Sequence, residues 1–170
     1  MAMVDEALAY AKRGWAVFPL VERDKIPAVK EGFKAADVNP EWINSIWSQR
    51  PHCNIGIATG NSLMVIDLDV DDEQGEDGVA TLRAWEREHG DLPETCSAVT
   101  GRGGLHLYYA VDEPVRCSVN KDAGVDIRGD GGYVVATPSV HPNGRSYEWE
   151  VPPDELPPAR ADANVMAFVQ

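Results

Sequence analysis

Leu63-Met64-Val65-Ile66-Asp67-Leu68-Asp69-Val70-Asp71-Asp72 begins as an apolar strand and ends in four carboxylates. In an extended strand alternate side chains share a face, so Asp67 and Asp69 project together, about 6 to 7 Å apart. Carboxylates this close raise one another's pKa, a conflict that a shared divalent cation removes. Oxygen ligands without a neighbouring Cys or His favour Mg²⁺ or Mn²⁺. A bare run of aspartates is usually a solvated turn, but this one grows out of a strongly apolar strand. An EF-hand loop is excluded, because Asp72 stands where its glycine is required and Gly78 where its bidentate glutamate should be.

Upstream, Ala7, Leu8 and Ala11 lie at helical spacing over residues 4–13, with Gly14 as terminator and a short strand at 16–20 to follow. Asn39-Pro40 is a cap and first-turn proline, and Trp42, Ile43, Ile46 and Trp47 form the apolar stripe of a helix ending before Pro51, both tryptophans facing the core. Residues 54–58 and 63–68 are two strands joined by a turn at Thr59-Gly60-Asn61. A helix over 79–89 presents Val79, Leu82 and Trp85 on one face and stops at Gly90. Short strands follow at 95–99, 105–110, 124–127, 133–136 and 147–149, with Pro142-Asn143-Gly144 turning into the last. Residues 152–163, rich in Pro, Asp and Ala, read as a linker into a short terminal segment. The outcome is a mixed α and β chain with an antiparallel-leaning sheet.

Two downstream stretches add chemistry. Thr100-Gly101-Arg102-Gly103-Gly104-Leu105-His106-Leu107-Tyr108-Tyr109 sets a glycine-rich turn before a strand that displays His106. Backbone N–H groups of such a turn can face phosphate oxygens, with a histidine or arginine adding a charged donor. A lone histidine in an apolar strand is more often a satisfied core residue than a ligand. Gly124-Val125-Asp126-Ile127-Arg128 supplies a third carboxylate if its strand pairs beside that of Asp67, with Arg128 to balance charge or hold a phosphate. The sequence Arg128-Gly129-Asp130 matches an adhesion tripeptide by chance.

The chain has 170 residues, 44% hydrophobic, 25% charged and 8% aromatic, the composition of one ordinary globular domain. Fifteen Lys+Arg against 28 Asp+Glu give a net charge of -13, which argues against holding nucleic acid by a general basic surface. Cys53, Cys96 and Cys117 are odd in number and widely spaced, so they read as reduced thiols, with no zinc expected. Neither a signal peptide nor an apolar run long enough to span a bilayer is visible, and a soluble cytoplasmic protein with no membrane partner is the expectation.

Taken in order, these motifs resemble the bifunctional primase-polymerase (prim-pol) N-terminal domains of the archaeo-eukaryotic primase superfamily, over roughly residues 5–150. The resemblance is carried by Ala7-Leu8-Ala9-Tyr10-Ala11, Val17-Phe18-Pro19-Leu20, Lys25 with Pro27, and Asn54-Ile55-Gly56-Ile57-Ala58-Thr59-Gly60. It continues through the Asp67/Asp69 pair, Gly103-Gly104-Leu105-His106, Gly124-Val125-Asp126-Ile127-Arg128-Gly129, and Gly131-Gly132-Tyr133-Val134-Val135-Ala136 with Pro138-Ser139. It implies an α+β fold in which an N-terminal α/β module packs with an RRM-like palm of mainly antiparallel strands. It also implies a catalytic domain over 1–151, with 152–170 as linker and start of a C-terminal segment of a larger parent protein. The implied activity is template-directed nucleotidyl transfer from NTP or dNTP in plasmid, phage or mobile-element replication. By position, Asp67, Asp69 and Asp126 would hold Mg²⁺ or Mn²⁺ in a two-metal site. His106 would contact the incoming nucleotide's phosphates, and Arg128, Arg102 and Lys25 would be further nucleotide contacts. Implied partners are a single-stranded DNA template, bound weakly by the isolated domain, and a helicase domain or protein. The chain departs from many relatives in having Gly104 where they carry a serine, two residues before the histidine.

Two other readings fit parts of the pattern. A haloacid-dehalogenase-type phosphohydrolase also puts D-x-D after an apolar strand, but expects Gly-Thr or Gly-Val next and a downstream lysine; here Val70-Asp71 follows, and the only later lysine is Lys121. A non-catalytic nucleotide- or origin-binding module would not require three carboxylates and a histidine.

Overall fold

The computed structural model describes residues 2–170, the side chain of Asn120 excepted. Along the chain run helix α1 (Met3–Lys12), strand β1 (Val17–Leu20), a 3-10 turn (Gly32–Ala35), α2 (Pro40–Gln49), β2 (Asn54–Ala58) and β3 (Leu63–Leu68). Next come β4 (Val70–Asp71), β5 (Glu76–Asp77), α3 (Gly78–His89), β6 (Ser97–Val99), β7 (Leu105–Ala110), β8 (Ser118–Asp122) and β9 (Val125–Arg128). Strands β10 (Tyr133–Ala136), β11 (Glu148–Val151), β12 (Ala159–Arg160) and helix α4 (Ala163–Val169) complete the mixed α and β order. The chain divides into two compact units, Met1–Ala58 with Gly132–Glu148, and Thr59–Gly131 with Trp149–Gln170.

In the first unit β2 lies between β1 and β10, antiparallel to both. Gly56 sits under Phe18, whose ring carbons are 2.7 Å from where a Cβ would be built, so only glycine lets the ring lie flat on the sheet. Phe18, Leu20, Val135 and Tyr147 form the core, with Phe33, Trp42 and Tyr133 packed on it. The expected helix starts hold: Asn39 accepts a hydrogen bond from the Glu41 amide at 2.9 Å, and Pro40 opens α2. Of the two tryptophans assigned to the core, Trp47 is buried and Trp42 only half-buried. Tyr10 of α1 donates to the Thr137 carbonyl.

The second unit is a seven-stranded sheet in the order β11-β6-β7-β3-β9-β8, with β12 pairing parallel to β7. Every β3 residue is buried. Its even-numbered side chains, Met64, Ile66 and Leu68, join Leu82 of α3 and Val165 and Phe168 of α4 in the main core. The odd-numbered side chains, including Val65 and Asp67, therefore share the opposite face. Asp77 caps α3 by accepting from the Ala80 amide at 3.0 Å, and Gly90 ends it at φ 94°.

Strands 54–58 and 63–68 both form with a turn between them, and they enter different sheets. Three features differ from the sequence reading. Strand β8 and the β4–β5 hairpin were not anticipated, because two-residue strands and the polar run Ser118–Asp122 lack an alternating apolar pattern. The stretch read as a linker carries β12, and Asp162 then caps α4 by accepting from the Val165 amide at 2.9 Å. The short terminal segment is helix α4, with Val165 and Phe168 0% exposed. Val165→Ala removes two buried carbons there and is expected to cost about 2 kcal/mol. A thermal melt should fall by roughly 4 to 8 °C, whereas an unchanged melting temperature would mean that α4 adds nothing to the core.

Burial raises the Cys53 thiol above its ordinary value of 9.0, and burial with nearby Glu86 raises the Tyr109 phenol, which donates to the Pro93 carbonyl at 2.8 Å. Each group ionises first in the unfolded chain, so its contribution is complete below the ordinary value and is lost as pH rises through the alkaline range. Chemical denaturation midpoints should therefore decline above about pH 9. In native protein an alkylating reagent should modify exposed Cys117 well before buried Cys53. No helix among the described residues is long and apolar enough to cross a membrane.

Candidate metal centre

Strand β3 lies between β7 and β9, and the antiparallel registers place Asp67 directly opposite His106 on one side and Asp126 on the other. Directly opposed residues share a face and stand about 4.5 to 5.5 Å apart. A row Asp126–Asp67–His106 thus crosses three adjacent strands, on the face away from α3 and α4. Asp67, His106 and Asp126 are buried, at 8%, 5% and 9% exposure, while Asp69 is half-buried just past the end of β3. One carboxylate oxygen each from Asp67, Asp69 and Asp126 lies within 4.8 Å of the others.

This donor set fits a hard divalent cation. Mg²⁺ binds oxygen at 2.0 to 2.1 Å, so opposed ligand oxygens around one ion are about 4 Å apart, a small adjustment from the spacing found. Three carboxylates also leave a local charge deficit that the neighbouring bases only partly cover. His106 Nε2 is 3.3 Å from Asp67 Oδ1, and the Arg128 guanidinium is 3.1 Å from Asp126 Oδ2 and 3.6 Å from Asp67 Oδ2. Arg128 follows Asp126 by two residues along β9, so strand alternation puts its charge on the carboxylate face.

The other residues singled out have other partners or belong to the other unit. Arg102 pairs with Asp71 at 3.1 Å. Asp71 also accepts from the Glu73 and Gln74 amides, which makes the second half of the acidic run a turn cap; Asp71 and Asp72 are not in the carboxylate group. Lys25 is an exposed residue of the first unit, whereas the cluster belongs wholly to the second. The glycine-rich turn does not offer phosphate all the N–H groups expected of it. Gly103 and Gly104 donate to the Thr100 carbonyl and Oγ1, each at 3.0 Å, closing the β6–β7 connection on itself. Lys121, the lysine a dehalogenase-type site would need, lies 4.9 Å from the ring centroid of Phe168, on the helix-covered side.

Three glycines that the sequence reading did not treat as site residues close around the Leu68-Asp69 backbone. A Cβ on Gly104 would stand 2.2 Å from the Leu68 carbonyl oxygen, and one on Gly78 would stand 3.0 Å from the Leu68 Cα and 2.2 Å from the Gly124 oxygen. Gly124 has φ 76°, and a Cβ there would approach the Gly78 nitrogen to 2.5 Å and the Asp69 oxygen to 2.9 Å. Asp69 donates its amide to the Gly124 carbonyl and accepts from the Gly78 amide, both at 2.7 Å. The signal was present, since Gly104 breaks the common serine pattern and Gly78 and Gly124 flank predicted elements. Only the pairing of these segments shows what the missing side chains make room for.

A family model described as bifunctional DNA primase/polymerase, N-terminal, matches residues 7–159, nearly the whole chain. The chain belongs to that Prim-Pol family, which makes it a DNA primase/polymerase domain. No curated protein matches it.

Proposed function

We propose that this domain carries out template-directed nucleotidyl transfer from NTP or dNTP, using Asp67, Asp69 and Asp126 as ligands of Mg²⁺ or Mn²⁺. The observation that carries the reading is the register that sets Asp126, Asp67 and His106 in one row with Asp69 beside it. The same reading takes the second unit as the palm, in support of which α3 and α4 pack on one face of its antiparallel strands and the carboxylates occupy the other.

Bound divalent ions would lower the pKa of the attacking 3′-hydroxyl and neutralise charge on the leaving pyrophosphate. The protein's own contribution is positioning and electrostatics. Asp67 and Asp126 are fixed by ladder pairing, and Asp69 by its two glycine contacts, so the ligand set is organised before substrate arrives. His106, in register with Asp67, supplies a ring N–H donor where triphosphate oxygens come. Arg128 restrains Asp126 and Asp67 and adds positive charge on the same face. Arg102, exposed beside Asp71, and Lys25 in the first unit are further nucleotide contacts in this reading. The expected setting is replication of a plasmid, phage or mobile element, with a helicase domain or protein as companion.

Primer extension on a single-stranded template tests the assignment. Product lengthening that follows template sequence under Mg²⁺ or Mn²⁺ is expected. Nucleotide binding without any product under both metals would favour a non-catalytic recruitment module instead.

A further inference from the structure

The net charge is unevenly divided. The first unit holds eight Lys+Arg against eight Asp+Glu, and the second seven against twenty, so the whole excess of -13 sits in the unit that carries the carboxylate row. Within the neutral unit, the segment between β1 and the end of the 3-10 turn holds Arg23, Lys25, Lys30 and Lys34, and Arg50 hydrogen-bonds to it. Against these five stand Glu22, Asp24 and Glu31, of which Asp24 is turned back onto the Lys25 amide at 2.7 Å.

This segment is held rather than loose. Asn54 donates to the Asp24 carbonyl at 3.0 Å, Tyr133 to the Lys25 carbonyl at 2.9 Å, and Arg50 to the Ala28 carbonyl at 3.0 Å. Three side chains from three elements thus fix its backbone, and Arg23 is kept at φ 57°, where a non-glycine residue is uncommon. The outward result is a cationic tip with Ile26 60% exposed and Val21 41% exposed. Beside it opens a cavity of about 340 Å³ with Val21, Ala28, Pro51 and Cys53 as apolar lining, and Arg50, His52 and Glu22 as polar lining.

We propose that Arg23, Ile26, Lys30 and Lys34 of this loop of the first unit, with Arg50, form the surface that grips single-stranded nucleic acid. Cationic side chains around an exposed apolar tip and cavity suit a strand whose phosphates meet charge while an unpaired base leaves water. A paired duplex offers the phosphates but not the base faces, which is why a single strand is the fitting occupant. The proposal rests on the nucleotidyl-transfer reading for the identity of the strand as template. It adds basic contacts in the first unit to Arg102 and Arg128 of the second, each of which pairs with an aspartate.

The test is binding of a labelled oligothymidylate to the full 170-residue chain across a salt series. Arg23→Ala/Lys30→Ala/Lys34→Ala should weaken binding at least tenfold at low salt. It should also flatten the slope of log affinity against log salt by about 2, since each phosphate contact on a single strand contributes about 0.7. Ile26→Ser should weaken binding several-fold with the slope unchanged. A control that removes three charges from the second unit, Arg87→Ala/Arg116→Ala/Arg160→Ala, should stay within about twofold, as expected for residues outside the contact. Binding of a fluorescent dNTP with Mn²⁺ should be the same in the loop variants as in the unaltered chain, which separates this surface from the carboxylate site. An unchanged salt slope in the triple loop variant, an equal loss in the control, no strand binding at low salt, or equal affinity for a duplex of the same length would each overturn the proposal. Loss of extension with strand binding intact would count against the nucleotidyl-transfer reading alone.

Discussion

Asp67→Asn and Asp69→Asn should each lower template-directed extension by about a thousandfold or more, while leaving the protein folded. Metal-assisted charge stabilisation is worth several kcal/mol, and each 1.36 kcal/mol is a factor of ten in rate. Asparagine matches aspartate in shape, so the β3 ladder hydrogen bonds and the core face are retained, and Arg128 keeps Asp126 as a partner at 3.1 Å. What is lost is one of three carboxylates whose oxygens lie within 4.8 Å of one another. A second readout needs no catalysis. A cation that binds only the folded chain stabilises it by about 2.7 kcal/mol at one hundred times its dissociation constant, which is roughly 5 to 11 °C in melting temperature for a chain of this size. The unaltered protein should show that increase with Mn²⁺, and both variants should lose most of it. Asp72→Asn, outside the carboxylate group, should behave as the unaltered chain in both assays. Full extension activity in both Asp67→Asn and Asp69→Asn would remove the metal-site assignment.

Much of this site was legible because strand alternation is a strict rule. An apolar run ending in D-x-D places both aspartates on one face whatever surrounds it, and a β-branched frame around Asp126 marks a strand. The sequence does not say which strands are neighbours. Whether His106 was a satisfied core histidine or a site residue depended on β7 pairing with β3 in the one register that sets it opposite Asp67; a slip of one residue would have turned it to the other face. For the same reason strands 54–58 and 63–68 and the turn between them were legible while their different sheets were not, since a turn's composition does not say which strands pair. The terminal segment was underread because its caps and apolar residues occupy only seven positions, Ala163–Val169, too few for periodicity to declare a helix. Its burial comes from tertiary partners in the main core, Trp85 of α3 among them.

The charge deficit is sharpened in the same way. Read over the whole chain, -13 argued against nucleic acid; read by unit, it separates an acidic half that holds the carboxylates from a neutral half with a basic loop. Arg128, read as balancing charge or holding a phosphate, pairs with Asp126, and Arg102, read as a nucleotide contact, pairs with Asp71. Where acids outnumber bases, a nucleotide's phosphates must compete with the protein's own carboxylates for such cations.

Gly124→Ala should be strongly damaging to the second unit, although it adds only a methyl group. At φ 76° alanine is strained, by about 1 to 2 kcal/mol. Its Cβ would also meet the Gly78 nitrogen at 2.5 Å and the Asp69 oxygen at 2.9 Å, both backbone atoms with no rotamer to escape into. The two 2.7 Å hydrogen bonds that hold the Asp69 backbone must then lengthen. Strain, overpacking and weakened hydrogen bonds together are expected to cost about 3 to 5 kcal/mol. Gly75→Ala serves as the comparison, since Gly75 has φ 69° but nothing within 4 Å of its added Cβ, and should cost only the conformational strain of about 1 to 2 kcal/mol. The difference between the two isolates the close approach. Gly124 acts through Asp69 rather than by touching substrate, so the decisive readout is metal affinity measured at low temperature, where the variant remains folded. The apparent dissociation constant for Mn²⁺, followed by stabilisation or extension rate, should rise at least tenfold in Gly124→Ala and stay within about twofold in Gly75→Ala, because a displaced ligand loses affinity where remote strain does not. If Gly124→Ala is destabilised yet binds Mn²⁺ as tightly as the unaltered chain, the glycine contacts support the fold without positioning Asp69.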